Sequence, residues 1–197
     1  MKIKFLTAFF GFILVIALGL YTTKEVEASS YSNFDIRTSS NLTAEHINAV
    51  MATYGKSDKL RRGNVGESIM SASNKYGINS ALLASMLIYE TGWGSSDAFL
   101  RKNNVGGLQC MPEAIDCSER WAKFSTMDAS IHAKARLLSG KAYVGQGRTT
   151  LSLVVQKYAP SHENDVSKYV NTIGNFMVQY FGQNLVSDET VAQQQER

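Results

Sequence analysis

The sequence predicts a mainly helical single domain that follows an export segment. Between residues 42 and 182, apolar residues recur at helical spacing and are separated by glycine or proline stops. No alternating apolar run is long enough to form a substantial sheet. The length of 197 residues suits one domain. Hydrophobic residues make up 44% of the chain and charged residues 19%, which is a globular composition.

The first 28 residues are organised like an export signal. Lys2 and Lys4 form a positive start, an uncharged apolar run covers 5–21, and residues 26–28 (VEA) suit a signal peptidase. The apolar run is close to the roughly 20 residues of a membrane-spanning helix, so retention as a membrane anchor is the alternative. Both interpretations place the functional part of the protein outside the cytoplasm, either secreted or membrane-anchored.

Three further segments follow the export segment. Residues 29–41 are polar and serine-rich and are predicted to be a linker, and residues 183–197 form a similar polar tail. The domain between them covers 42–182. The net charge is +3, and the longest basic run is Arg61-Arg62. Such scattered basic residues argue against a nucleic-acid partner. We expect a monomer.

Six helices are predicted within the domain, each from a capping residue or a stop signal. They are 44–53 after Thr43, 65–76 before Gly77, 81–89 after Asn79 or Ser80, one from Ser125 to Gly140, one between Thr149 or Thr150 and Pro160, and one from Asn164 or Asp165 to Gly182. The helix 81–89 is apolar on nearly all sides, which predicts a central, buried position. Residues 95–124 are predicted to form loops with at most a short hairpin.

Cys110 and Cys117 are the only cysteines in the chain. In an exported protein such a pair is expected to form a disulfide that closes a short loop. The alternative is a nucleophilic Cys110 with His132 or His162 as its base. Oxidation would remove the thiolate that this alternative needs.

Glu90 is an unexpected residue at the end of the most hydrophobic helix. Helical spacing places it on the same face as Leu83, Met86 and Leu87. Burial and the negative end of the helix dipole both disfavour a charged carboxylate there. General acid catalysis requires a carboxyl group that keeps its proton near neutral pH. Glu90 is therefore the candidate catalytic acid, and a structural ion pair with an arginine is the alternative.

Three blocks of sequence carry a resemblance to a known family. The segment 76–85 (YGINSALLAS), followed by 90–95 (ETGWGS), resembles the core motif of bacterial glucosaminidases. These are peptidoglycan-cleaving endo-β-N-acetylglucosaminidases of the lysozyme-like superfamily, of flagellar or autolytic type. The blocks 103–107 (NNVGG) and 158–160 (YAP) follow in the same order, and Asn164 and Tyr169 match after them. The resemblance covers about 42–182 and implies a lysozyme-like domain with a short loop or hairpin lobe.

The resemblance also implies roles for particular residues. Glu90 matches the catalytic acid that protonates the glycosidic oxygen, and Tyr158 matches a tyrosine of the active-site groove. Its hydroxyl would position an acetamido group or a water. The positions that shape the sugar-binding groove are Trp93, Asn103, Asn104 and Gly107. The implied partner is the glycan strand of peptidoglycan in the cell envelope, and no cofactor is implied.

The second catalytic group is not fixed by the sequence. Many members of the family have a second glutamate in a hairpin lobe after the first, and here Glu113, Asp116 and Glu119 are all candidates. Spacing favours Glu119. The acetamido group of the substrate is a further candidate. A retaining route and an inverting route therefore both stay open.

Two other functions are compatible with these residues. A lytic transglycosylase shares the lysozyme-like fold and needs only one glutamate, which here would be Glu90. A glycan-binding module would hold the strand without cutting it, but it gains nothing from a desolvated acid. The three histidines, His46, His132 and His162, are too far apart in sequence to predict a metal site.

Overall fold

The structure is a computed structural model, and it describes residues 31–162 and 164–183. The predicted signal segment or anchor (1–28) and all but the first residue of the predicted tail (183–197) lie outside the described residues. Within the part that is described, no helix has both the length and the apolar character needed to cross a membrane.

The described chain is mainly helical, and its only β-pairings are two isolated antiparallel bridges, Asp35 with Thr150 and Asp116 with Lys123. Its helices, in chain order, are α1 (Ala44–Tyr54), α2 (Asp58–Arg61), α3 (Val65–Tyr76), α4 (Ser80–Glu90), α5 (Asp97–Lys102), α6 (Met127–Ser139), a 3-10 turn (Val144–Gln146), α7 (Leu151–Tyr158) and α8 (Val166–Phe181).

Helix α4 is the centre of the domain. Every residue from Ser80 to Ile88 is buried, which is the position expected of a helix that is apolar on all sides. Helices α3 and α8 pack against it, α6 packs on α3, and α7 packs on α8. Only the last two residues of α4, Tyr89 and Glu90, are partly exposed. The helix therefore begins deep in the core and ends at the surface with its acidic residue.

All six predicted helices are present, with bounds within about two residues of those expected from their caps. Asn79, Thr150 and Asp165 each accept a hydrogen bond from a backbone N–H of the first helical turn. Helix α3 ends at Gly77, whose φ of 64° is the left-handed conformation that glycine adopts readily. The cap of α6 is Thr126 rather than Ser125, and its side chain accepts from the Ala129 N–H.

Two short helices were not predicted. Helix α2 has four residues and α5 has six, which is too short for a 3.6-residue period to show in the sequence. Helix α5 lies inside the segment 95–124 that was expected to form loops. The expected short hairpin is represented by the isolated bridge between Asp116 and Lys123. The predicted disulfide between Cys110 and Cys117 closes the loop that leads into this bridge.

The segment 29–41, predicted to be a linker, is packed against the domain from Tyr31 onward. Tyr31, Phe34 and Ile36 are buried members of the main hydrophobic core. The backbone of this segment is also paired, since the Ile36 N–H donates to the Thr149 carbonyl at 2.8 Å. These apolar residues are spaced too irregularly to predict an element, yet they place the start of the packed unit before Leu42.

Candidate active site

Glu90 is placed by the turn that ends α4. Three consecutive residues, Gly92, Trp93 and Gly94, have positive φ angles of 55°, 63° and 79°. The buried Thr91 hydroxyl donates to the Leu87 carbonyl at 2.7 Å and accepts from the Gly94 N–H at 2.9 Å. This turn stops the helix directly after Glu90, so the carboxyl group lies at the surface end of a rigid core helix.

The carboxyl group of Glu90 is held by a tyrosine of α8. The hydroxyl of Tyr169, a buried residue, donates a hydrogen bond to Glu90 Oε1. Burial, with a further contribution from the nearby Glu90 charge, raises the pKa of Tyr169 well above its ordinary value. Tyr169 therefore stays a hydrogen-bond donor throughout the neutral range and fixes the orientation of the Glu90 carboxyl group.

The loop 104–108 passes beside the other oxygen of Glu90. Asn104 is buried and organises this loop with its side chain. Its Nδ2 donates to the Leu108 and Ala122 carbonyls, and its Oδ1 accepts from the Gly106 and Leu108 N–H groups. A Cβ built on Gly107, which has a φ of 59°, would lie 3.7 Å from Glu90 Oε2. The glycine keeps this approach open.

Tyr158 ties the same loop to α7. Its hydroxyl donates a hydrogen bond to the Gly106 carbonyl. Burial raises the pKa of Tyr158 well above its ordinary value, so this hydroxyl also stays protonated. In this arrangement the hydroxyl is directed at the backbone, and it positions the loop beside Glu90.

Two clefts meet at the carboxyl group. A cleft of about 460 Å³ and a second of about 390 Å³ share Glu90, Gly107 and Trp121 as lining residues. Tyr158 lines the first cleft, and Asn104 lines the second. A linear polymer that occupied both clefts would pass directly over Glu90. The arrangement therefore suits a reaction inside a chain rather than at its end.

The structure separates the three candidates for a second carboxylate. Glu119 lines the 390 Å³ cleft with Glu90, although its exposed side chain pairs with Lys102 Nζ at 2.5 Å. Glu113 pairs with Arg136, and the hydrogen bond from that guanidinium lowers the pKa of Glu113. Asp116 accepts from the Ser118 N–H at 2.8 Å, which lowers the pKa of Asp116. Neither of these two lines a cleft with Glu90.

Two residues expected at the groove lie elsewhere. Trp93 lines neither cleft, and its indole packs in an aromatic cluster with Tyr54, Phe176 and Tyr180 at centroid distances of 5.0–5.9 Å. Asn103 also lines neither cleft, and its Nδ2 donates to the Phe124 carbonyl at 2.9 Å. Trp93 is close in sequence to Glu90, and Asn103 precedes Asn104, but the side chains of both residues make their contacts outside the two clefts.

Three residues near the site were given no role by the sequence analysis. Trp121 lines both clefts, Tyr169 holds Glu90, and Lys134 is buried behind the loop that carries Gly106. Trp121 had no periodic signal because it lies in an irregular segment. Lys134 did have a signal, since it lies four residues before Leu138 on the apolar stripe of α6, where a lysine is rarely buried.

No metal-binding arrangement is found among the described residues. The side chains of His, Cys, Asp and Glu in this part of the chain form no group of three or more that could hold a metal ion. The disulfide also occupies both cysteines.

The sequence matches the model of a family described as Glucosaminidase, mannosyl-glycoprotein endo-beta-N-acetylglucosaminidase, over residues 66–181. The chain belongs to the glucosaminidase family. This confirms the family predicted from the sequence blocks and makes the protein a glycoside hydrolase, an endo-β-N-acetylglucosaminidase. A comparison with curated proteins finds no match.

Solved autolysin structures share the fold of this glucosaminidase. Staphylococcus aureus autolysin E, in complex with the muropeptide NAM-L-ALA-D-iGLU, has a TM-score of 0.56 and 18% identity, over 81% of this chain and 78% of that chain. A catalytic mutant of S. aureus autolysin E, in complex with the disaccharide NAG-NAM, has a TM-score of 0.56 and 18% identity, over 77% and 72%. A major bifunctional autolysin has a TM-score of 0.54 and 24% identity, over 79% and 68%. The predicted mainly helical fold is confirmed.

Proposed function

We propose that this glucosaminidase cleaves the β-1,4 bond after N-acetylglucosamine in peptidoglycan strands, with Glu90 as the general acid. One observation carries the assignment to Glu90, which is that its carboxyl group lies where the two clefts meet. Support for the substrate comes from the fold, because autolysin E, which shares it, has been crystallised with NAG-NAM and with a muropeptide.

The two oxygens of Glu90 have different environments, and this supports a directed proton transfer. Oε1 accepts a hydrogen bond from the hydroxyl of Tyr169. A neutral Glu90 would therefore carry its proton on Oε2, on the side of Gly107. A glycosidic oxygen held beside Gly107 would then receive that proton as its bond to the sugar carbon breaks. General acid catalysis of this kind contributes roughly 10²- to 10⁴-fold to the rate.

Trp121 replaces Trp93 as the proposed aromatic platform for the sugar. It is half-buried and lines both clefts, so its indole would lie next to the reacting bond. The Arg120 guanidinium lies 4.5 Å from the ring centroid and holds the indole in place. Asn104, Gly107 and Tyr158 would shape the groove around it.

Glu119 is the proposed second carboxylate. Of the three candidates, it is the one that shares a cleft with Glu90, and its side chain pairs with Lys102 at the rim of that cleft. A charged group there would stabilise positive charge at the sugar carbon or orient the attacking water. If Glu119→Gln retains full kcat, this role passes to the acetamido group of the substrate.

We also propose that the protein acts outside the cytoplasm. Two observations support export, namely the disulfide between Cys110 and Cys117 and the proposed cell-wall substrate. Residues 1–28 would act as the export signal or membrane anchor. N-terminal sequencing of the protein from its membrane and secreted fractions tests the two forms. A mature chain that begins near Ser29 indicates a cleaved signal, and an intact N-terminus in the membrane fraction indicates an anchor.

The products of digestion test the proposed reaction. Purified peptidoglycan is digested with residues 29–197, reduced with borohydride and analysed by mass spectrometry. Fragments that end in reduced N-acetylglucosamine are expected. Anhydro-muramyl ends would instead indicate a lytic transglycosylase. Intact glycan that still binds the protein would indicate a binding module, and it would contradict the proposed reaction.

A further inference from the structure

The structure contains a buried cation that the proposed mechanism does not use. Lys134, on α6, is 1% exposed, and its Nζ has no hydrogen-bond partner in the described structure. An unpaired ammonium group away from water is costly, so such a residue is rare without a function. Lys134 lines neither cleft, which places it behind the wall of the site rather than in contact with substrate.

The ammonium group lies against Gly106 and Tyr158, two residues that line the 460 Å³ cleft. It lies 4.9 Å from the centroid of the Tyr158 ring, in a cation–π contact. A Cβ built on Gly106 would lie only 2.4 Å from Lys134 Nζ, and one built on Gly107 would lie 3.7 Å from Glu90 Oε2. The ammonium and the carboxyl group therefore flank consecutive glycines of one loop.

Two titratable groups lie near the Lys134 ammonium, and neither forms a hydrogen bond with it. Helix α4 contributes Glu90, and α7 contributes Tyr158, whose hydroxyl donates to the Gly106 carbonyl. Helix α3 packs on α6, but its Tyr76 contacts His132 on a different part of that helix, at 5.9 Å. Desolvation lowers the pKa of Lys134 to about 8, and the Glu90 charge acts in the opposite direction.

We propose that Lys134 is a positioning residue whose buried ammonium stabilises the Glu90 carboxylate as it forms. This inference rests on the proposed role of Glu90. When the proton of Glu90 passes to the glycosidic oxygen, the carbon–oxygen bond breaks and its electron pair goes to that oxygen. The sugar carbon acquires the hydroxyl of water, and the remaining proton of that water balances the one given up by Glu90 and restores the acid for the next turnover. Negative charge then appears on Glu90, and a fixed cation in a region of low dielectric lowers the energy of that state.

The variant Lys134→Met tests this role, because methionine has a similar volume and no charge. We expect kcat on peptidoglycan to fall roughly 10-fold with little change in KM. The alkaline limb of the pH profile of kcat is also expected to move up, because the variant lacks the ammonium group that favours the charged form of a nearby carboxyl group. The control Lys141→Met, at an exposed position, should change neither quantity.

Each result has a separate meaning. A folded Lys134→Met protein, judged by circular dichroism, with wild-type kcat and an unmoved alkaline limb would overturn the proposal. A lowered kcat with an unmoved limb would also overturn it, since that is the result expected of a packing defect alone. A wild-type protein that releases no ends in reduced N-acetylglucosamine would instead contradict the function on which the proposal rests.

Discussion

At the scale of single residues, the site depends on the different environments of the two Glu90 oxygens. Tyr169 occupies Oε1, and the glycine loop leaves Oε2 accessible from the cleft side. The hydroxyl of Tyr169 also keeps its proton near neutral pH, because burial raises its pKa. This pair therefore keeps one geometry across the range in which the enzyme would work.

Removal of the Tyr169 hydroxyl tests its role in orienting Glu90. Tyr169→Phe deletes the donor to Glu90 Oε1 and keeps the ring that packs edge-on against Tyr89. We expect kcat to fall roughly 10- to 100-fold, since a hydrogen bond to a charged group contributes about 1.5–3 kcal/mol, while KM changes little. Steady-state kinetics on peptidoglycan measure both. Tyr54→Phe, at a half-exposed ring, is the control, and equal activity of the two variants would contradict the assignment.

Lys134 also makes the stability of the domain dependent on pH. Burial lowers its pKa from 10.5 to about 8, so the unfolded chain binds more protons than the folded chain between these values. The contribution of Lys134 to the free energy of unfolding is therefore unfavourable below pH 8, and this cost disappears as the pH rises toward 10.5.

Lys134→Met removes this cost. We expect its free energy of unfolding at pH 7 to exceed that of the wild type by up to about 3 kcal/mol. The difference should shrink between pH 8 and pH 9.5, where the wild-type lysine loses its proton. Urea unfolding at pH 7 and pH 9.5 measures this, and a difference that stays constant between the two values would contradict the interpretation.

At the scale of elements, the loop 104–108 is the part of the site that substitutions can test most cleanly. Gly107 and Gly147 both have a left-handed φ, 59° and 74°, but only Gly107 adjoins Glu90 and Trp121. A Cβ built on Gly147 meets no atom within 4 Å. The two positions therefore share a backbone conformation that would strain alanine, and they differ in their distance from the site.

Alanine substitutions at the two glycines separate the cost of backbone strain from the effect of a methyl group at the active site. Gly107→Ala and Gly147→Ala should each lower the free energy of unfolding by about 1–2 kcal/mol, the usual cost of a left-handed alanine. Only Gly107→Ala is expected to lower kcat/KM, roughly 10-fold or more, because its methyl group enters the space beside Glu90. Thermal unfolding and kinetics on the same samples measure the two effects. Similar activity losses in both variants would mean that strain alone acts.

The length of a helix largely decides whether the sequence predicts it. Long helices such as α8 were predictable because their apolar stripe and their caps, Asp165 and Gly182, agree. Helices α2 and α5 were not, because they are too short to show a period. Trp93 illustrates a different limit, since the turn that places Glu90 correctly also directs the neighbouring indole into an aromatic cluster. Contacts such as that of Lys134 with Gly106 join distant residues and have no local signal.

At the scale of the whole molecule, the segment 31–41 belongs to the folded unit. Tyr31, Phe34 and Ile36 are buried in the core, and Tyr31 packs so closely on α8 that a Cβ built on Gly174 would lie 2.4 Å from its ring. The packed unit therefore extends beyond the glucosaminidase match at 66–181.

Truncation tests this extent. A chain of residues 42–197 lacks the three buried residues, each of which contributes about 1.5–3 kcal/mol when fully buried. We expect it to unfold well below the midpoint of residues 29–197, or not to fold, because the total loss is comparable with the stability of a typical domain. Thermal unfolding by circular dichroism measures this. Equal midpoints for the two chains would show that residues 29–41 act as a linker.

The most direct test of the central claim is the activity of Glu90→Gln on purified peptidoglycan. Glutamine keeps the shape of the side chain but has no acidic proton to give, so kcat should fall by about 10²- to 10⁴-fold while glycan binding persists. Glu45→Gln, at an exposed position in the first turn of α1, should retain wild-type activity. If Glu90→Gln folds normally and still releases ends in reduced N-acetylglucosamine at the wild-type rate, Glu90 is not the catalytic acid.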